Sequence, residues 1–215
     1  MRDDDLDAVT HLHDPVRRAL YDHVVAQGGG VARGQAAAAV GVSRTLAAHH
    51  LDRLVEAGLL ESGFQAPLKK GPGSGRPAKV YRRAPAERSV NLPPRDYTVV
   101  AGVLADVVET LGAGEQAERV ARRAGERIGA GHAHEPVDAV LRGRGYEPYA
   151  DGDAMRMRNC PFHALSQNHP VLVCAMNLAL CQGLLAGMGE DPDAARMDPR
   201  PGECCVTLTS INNDD

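Results

Sequence analysis

The chain has 215 residues, a formal net charge of −4, 43% hydrophobic and 24% charged side chains, and five cysteines. That length holds two small domains with their own cores, and a mildly acidic total leaves room for a basic face that only the local distribution reveals. The opening Met1-Arg2-Asp3-Asp4-Asp5 is not a secretory signal, and no uninterrupted apolar run is expected to approach the roughly 20 residues of a membrane span, so a cytoplasmic protein with no membrane partner is expected.

The first element is a helix. Asp14 caps it, Pro15 takes its first position, Val16, Ala19, Leu20, His23 and Val24 give an apolar i, i+3, i+4 stripe, and Gly28-Gly29-Gly30 ends it. Arg33 to Val40 is a short Ala-rich helix closed by Gly41, and Ser43 caps a further helix from Arg44 to Ala57, stopped by Gly58. This is a helix-turn-helix. On its last helix the expected buried stripe is Leu46, Leu51, Leu54 and Val55, which leaves Arg44, Thr45, Ala48, His49 and Arg53 on the opposite face as base readers, with Ser43 at its head.

Leu59-Leu60-Glu61 and Ala78 to Arg82 read as two strands joined by the glycine-rich Lys69 to Arg76, the pattern of a wing. Between Leu68 and Arg83 stand Lys69, Lys70, Arg76, Lys79, Arg82 and Arg83 with no acidic residue. Such a stripe suits phosphate contacts; Lys69, Lys70, Arg76 and Lys79 are the candidates.

Pro85 to Pro94 has the composition of a linker, which divides the chain into a DNA-binding domain over 1–90 and a second domain over 91–215. In the second, Val99 to Leu111, Glu115 to Ile128 and Pro136 to Arg142 are expected helices, and either of the first two is suited to pair with its copy in a homodimer. Tyr146 to Tyr149 and Ala154 to Arg158 form a hairpin about Asp151-Gly152-Asp153, a helix follows from about Pro170 to Ala186, and Glu203 to Thr209 closes the domain as a strand. The fold class is α+β: an N-terminal winged helix-turn-helix and a C-terminal α/β sensing and dimerisation domain.

The first 159 residues contain no cysteine; Cys160, Cys174, Cys181, Cys204 and Cys205 all lie in the last third. An odd count in a reducing compartment argues for metal or cluster ligation, or for a reactive thiol, over a disulfide framework. Cys174 and Cys181 are seven residues apart on one expected helix and so about 10 Å apart along its axis. Sulfurs on one zinc lie only about 4 Å apart, so Cys181 is assigned to the core. Cys204 and Cys205 are adjacent on an expected strand, where side chains alternate, so one of the two should face the site unless the strand bulges. Cys160, Cys174 and one of the tandem pair are thus the expected ligands, with the fourth position open or filled by His163 or His169. His163, three residues after Cys160, is the better placed.

The segment Val42 to Leu54, the wing Gly75-Arg76-Pro77-Ala78-Lys79-Val80-Tyr81, and Asn159-Cys160-Pro161-Phe162-His163, His169-Pro170 and Cys204-Cys205 together resemble ArsR-like winged-helix regulators, and among these the SufR-type iron-sulfur group. The resemblance implies a homodimeric repressor of iron-sulfur assembly genes holding a [4Fe-4S] or [2Fe-2S] cluster in each C-terminal domain, with Cys160, Cys174 and Cys204 or Cys205 as ligands. Cluster state would set affinity for double-stranded DNA carrying an inverted-repeat operator, in response to iron-sulfur, redox or nitrosative status. The cysteine intervals here differ from that group's, and Cys181 is additional. The alternatives are a zinc site on the same thiolates with His163, and a cofactor-free thiol switch at Cys204 or Cys205. No nucleophile and base or paired carboxylates stand in a recognisable frame, so the protein is not expected to be an enzyme.

Overall fold

The computed structural model describes residues 3–65, 77–88, 90 and 95–209. The chain divides into two compact units, Met1–Arg95 and Asp96–Asp215.

In the first unit α1 (Asp3–Thr10), which the sequence reading left without structure, leads through a single 3-10 turn into α2 (Pro15–Gln27). The Asp14 carboxylate accepts from the Arg17 amide at 2.9 Å, satisfying one of the free N–H groups at the head of α2, and Gly28 ends it at φ 64°, a left-handed value that suits glycine. Strand β1 (Val31–Ala32), helix α3 (Arg33–Val40) and helix α4 (Arg44–Glu56) follow, then β2 (Leu60–Gln65) and β3 (Ala78–Arg83). The sheet has the order β1-β3-β2, antiparallel throughout, with Val31 opposite Tyr81 and Leu60 opposite Arg83. Leu20, Val24, Ala36, Ala47, Leu51, Leu54 and Leu60 meet in its core. The result is a helix-turn-helix with a two-stranded wing.

One element of the expected stripe on α4 is corrected. Leu46 is 41% exposed, while Ala47 and His50 are buried with Leu51 and Leu54. At 100° per residue the buried arc is centred between Leu51 and Leu54, and Leu46 falls about 110° from that centre.

The second unit begins with α5 (Tyr97–Thr110), α6 (Gly114–Ala130) and α7 (Val137–Gly143), continues with hairpin β4 (Pro148–Asp151) and β5 (Ala154–Met157), short α8 (His163–Ser166) and long α9 (Pro170–Met188), and ends with β6 (Ala195–Met197) and β7 (Val206–Thr209). Its antiparallel sheet runs β4-β5-β7-β6. Strand β6 and helix α8 were not foreseen, and β7 starts at Val206, not at Glu203.

Helix α9 has no uninterrupted apolar run of 20 residues, yet its 19 uncharged residues are long and apolar enough, by length and composition, to cross a membrane. Asn177, Gln182 and the glycines conceal this in a count of apolar residues. In this unit α9 is the core helix, with Leu172, Val173, Leu184 and Leu185 buried. It crosses α6 at very close range. A Cβ on Gly125 would stand 2.1 Å from the Leu180 carbonyl oxygen, one on Gly129 2.1 Å from that of Leu184, and one on Gly183 2.0 Å from that of Arg122. Only glycine lets these two backbones touch, and that contact fixes the height of α9 in the unit.

Candidate DNA-reading face and candidate thiol site

The DNA-reading candidates lie on α4. Ser43 is its N-cap, its hydroxyl accepting from the Leu46 amide at 3.2 Å, so its first role is to start the helix. Arg44, Thr45 and His49 are exposed along one side and Ala48 is half-buried among them. Arg53, at the far end, is exposed and donates to Glu56 at 3.0 Å. Lys79 comes from β3, where its Nζ lies 2.7 Å from Asp52 Oδ1 and 5.1 Å from the centre of the Tyr81 ring. The Tyr81 hydroxyl donates to the same carboxylate at 2.9 Å. Burial works to raise the Asp52 pKa, and the hydrogen bonds from Lys79 and Tyr81 more than offset it, holding the carboxyl below its usual range. Asp52 thus fastens the reading helix to the wing. The sequence signal was available: a carboxylate among polar residues on a DNA-facing helix calls for a cation nearby. Lys69, Lys70 and Arg76 lie outside the described residues.

The thiols of the second unit come together from separate elements. Cys160 follows β5, Cys174 stands in the second turn of α9, and Cys204 and Cys205 immediately precede β7. The tandem pair lies before the strand, in a bend, so strand alternation does not apply. Both sulfurs lie near the Asn177 amide of α9. Cys160 neighbours Cys204, Cys204 neighbours Cys205, and Cys205 neighbours Cys174.

Buried polar groups hold this bend in place. The Cys204 amide donates to the Met157 carbonyl, and the Cys205 carbonyl accepts from the Asp198 amide, each at 2.9 Å. Arg156, on β5 and 2% exposed, donates to Glu203 at 2.8 Å and to the Asp198 carboxylate, while the Tyr149 hydroxyl gives Glu203 a second bond at 2.6 Å. Asn177, 1% exposed on α9, donates to Cys204 Sγ at 3.3 Å and to Cys205 Sγ at 4.0 Å, and its oxygen accepts from the Tyr146 hydroxyl at 2.5 Å. Arg156 and Asn177 were missed by sequence reasoning. Their signal was an arginine between two methionines in an alternating strand and a lone asparagine in an uncharged helix, each needing a partner if buried.

The neighbouring thiols of Cys160 and then Cys205, helped by the Val206 amide and Asn177 against the effect of burial, hold the Cys204 thiol below its ordinary range. The neighbouring Cys204 and burial raise Cys160 and Cys205 above their ordinary range. Cys181 stays outside this chain of sulfurs; burial pushes it up to about 12, and it contacts the Tyr146 hydroxyl at 3.9 Å. A soft cation entering here would take the thiols as thiolates and displace their protons.

The histidines go elsewhere. His163 heads α8, exposed, with its Nε2 3.2 Å from the Gln167 amide. His169 is buried and faces α5, its Nδ1 3.0 Å from Glu109 Oε2. Among the described residues, no three sulfurs lie within 4.8 Å of one another.

Residues 12–63 match the family model of a helix-turn-helix domain, a span running from the 3-10 turn before α2 into β2. No curated protein and no solved structure matches the chain. The matched domain is a double-stranded-DNA reader, and the chain is a DNA-binding transcriptional regulator.

Proposed function

We propose that this transcriptional regulator acts as a homodimeric repressor whose hold on an inverted-repeat operator is set by an iron-sulfur cluster on Cys160, Cys174 and the Cys204-Cys205 pair. The observation that carries the reading is the array of sulfurs drawn from the end of β5, from α9 and from the bend before β7, with Asn177 donating to both tandem sulfurs. The donor set fits the group. Four soft sulfurs are the usual complement of a cluster, two of them half-exposed, and their spread is wider than the roughly 4 Å between thiolates on one zinc ion. The same spread weighs against the zinc reading.

When bound, the cluster supplies a group that oxidants or nitric oxide can alter or displace. The protein's part is to tie the three elements together through those sulfurs and to keep the site half-open at Cys160 and Cys174. The bonds of Asn177 to both tandem sulfurs orient them before any ligand arrives. Losing the tie would release α9 from β5 and from the bend before β7. Dimerisation is supported by α5, where Val99, Val100, Val103 and Leu104 are each more than half exposed along one apolar face. Two copies of α4 would then enter successive major grooves, about one helical turn apart, with Arg44, Thr45 and His49 toward the bases and the wing lysines on phosphate.

The test is an absorption spectrum with iron, sulfide and zinc analysis on protein purified without oxygen. Brown protein with stoichiometric sulfide supports the reading. Colourless protein with one zinc per chain sinks it, and metal-free protein with an oxidisable Cys204 turns it into a thiol switch.

A further inference from the structure

We infer that Asp106, Glu109 and His169 form a second metal site, for a divalent first-row cation on nitrogen and oxygen donors, separate from the thiols. Asp106 and Glu109 are three residues apart and so share a face of α5, and His169 is the residue that caps the start of α9. One ligand atom from each lies within 4.8 Å of the others. The imidazole is 8% exposed and set between both carboxylates, with Nδ1 3.0 Å from Glu109 Oε2 and Nε2 3.9 Å from Asp106 Oδ1.

The ring keeps one nitrogen for a ligand. Nδ1 is engaged with Glu109 at 3.0 Å, while Nε2, 3.9 Å from Asp106, is beyond hydrogen-bond reach of that carboxylate. Among the described residues neither carboxylate is paired with a lysine or arginine, and α5 itself carries no basic residue, so a divalent ion meets no competing cation there.

The spacing suits it. Donors in an octahedral shell with bonds near 2.1 Å stand about 3 Å apart when adjacent and about 4.2 Å apart when opposite, so a small rotation of the exposed Asp106 carboxylate brings all three into one shell. The ring itself is held by its backbone: the His169 amide donates to the Leu165 carbonyl at 3.1 Å and its carbonyl accepts from Val173 at 3.0 Å. The outward positions remain for water, because Asp106 and Glu109 are 71% and 45% exposed in their side chains. With two oxygens and one nitrogen the set selects Mn²⁺, Fe²⁺ or Zn²⁺ and has no use for the soft ions that thiolates prefer. Occupancy would clasp α5 to the head of the helix that carries Cys174.

The experiment is a titration of the full chain, dialysed free of divalent ions, with Mn²⁺, reading free Mn²⁺ by electron paramagnetic resonance. This hard ion ignores the cysteines, so the result does not depend on whether they hold a cluster. One Mn²⁺ per chain at a Kd below about 1 mM is expected, weakened at least tenfold in Asp106→Asn and in His169→Gln. Asp106→Asn alters an exposed side chain and leaves the fold intact, so its result is not confounded by unfolding. Absence of binding in that range, or equal binding by wild type and Asp106→Asn, overturns the site.

Discussion

The side-chain amide of Asn177 donates to Cys204 Sγ across 3.3 Å while its oxygen accepts from Tyr146, so one buried residue links the core of the second unit to the tandem thiols. An N–H donated to a ligand sulfur stabilises added electron density there. In Asn177→Leu the reduction potential of a bound cluster should fall by about 60 mV, one hydrogen bond's worth of roughly 1.4 kcal/mol, with faster loss of iron in air. Protein-film voltammetry and iron release measure both. An unchanged potential would remove Asn177 from the site.

Arg44→Ala should weaken operator binding by about 1–3 kcal/mol without altering iron or sulfide content, because Arg44 is exposed at the head of α4 and in a different compact unit from the thiols. Fluorescence anisotropy with specific and scrambled duplexes checks it. Equal affinity for the specific duplex would place the base contacts elsewhere on α4.

The crossing of α6 over α9 gives a sharp contrast. Gly183→Ala puts a methyl 2.0 Å from the Arg122 carbonyl oxygen and should destabilise the second unit by about 3 kcal/mol or more. Gly143→Ala, with nothing within 4 Å of its Cβ at the end of α7, should be neutral or stabilising by up to about 0.5 kcal/mol. Urea unfolding of both variants reads the difference.

Glu203 sets a pH dependence. Burial works to raise its pKa, and the bonds from Arg156 and Tyr149 more than offset it, so the folded value lies below the ordinary 4.5. A lowered carboxyl stabilises the fold fully above the unfolded pKa, and that stability is lost as pH falls through the folded one. The Tm of the second unit should therefore drop between about pH 5 and pH 3. Arg156→Gln should lower stability at pH 7 by about 3 kcal/mol and flatten that acid slope. A variant with the wild-type slope would show that Glu203 owes its shift to other groups.

The apolar face of α5 predicts the assembly. Val103→Glu with Leu104→Glu, at positions 56% and 60% exposed, should convert a dimer into a monomer and sharply weaken binding to a two-half-site operator. Light scattering after size exclusion gives the mass. A variant that stays dimeric would move the interface off α5.

The sequence by itself determined the helix-turn-helix, because caps, glycine stops and the apolar stripe are local signals: Asp14 with Pro15, Ser43, Gly28 and Gly41 mark the ends of α2, α3 and α4 where the structure has them. It also located the thiol-bearing third of the chain. What it left open depends on contacts between residues far apart in the chain. The 44-residue interval from Cys160 to Cys204 is closed by the β5 and β7 pairing, and that closure, with the Arg156–Glu203 bond, carries both tandem sulfurs to one place. Strand alternation could not foresee this, since the cysteines sit in a bend outside the ladder. His163 and His169 have the spacing of ligands, yet α8 leaves one in solvent and α5 takes the other, because the direction of a side chain follows from what packs against its element and not from its distance along the chain. The approach of α6 to α9, which sets the height of Cys174 and Asn177, rests on glycines whose purpose appears only when the second helix lies against them.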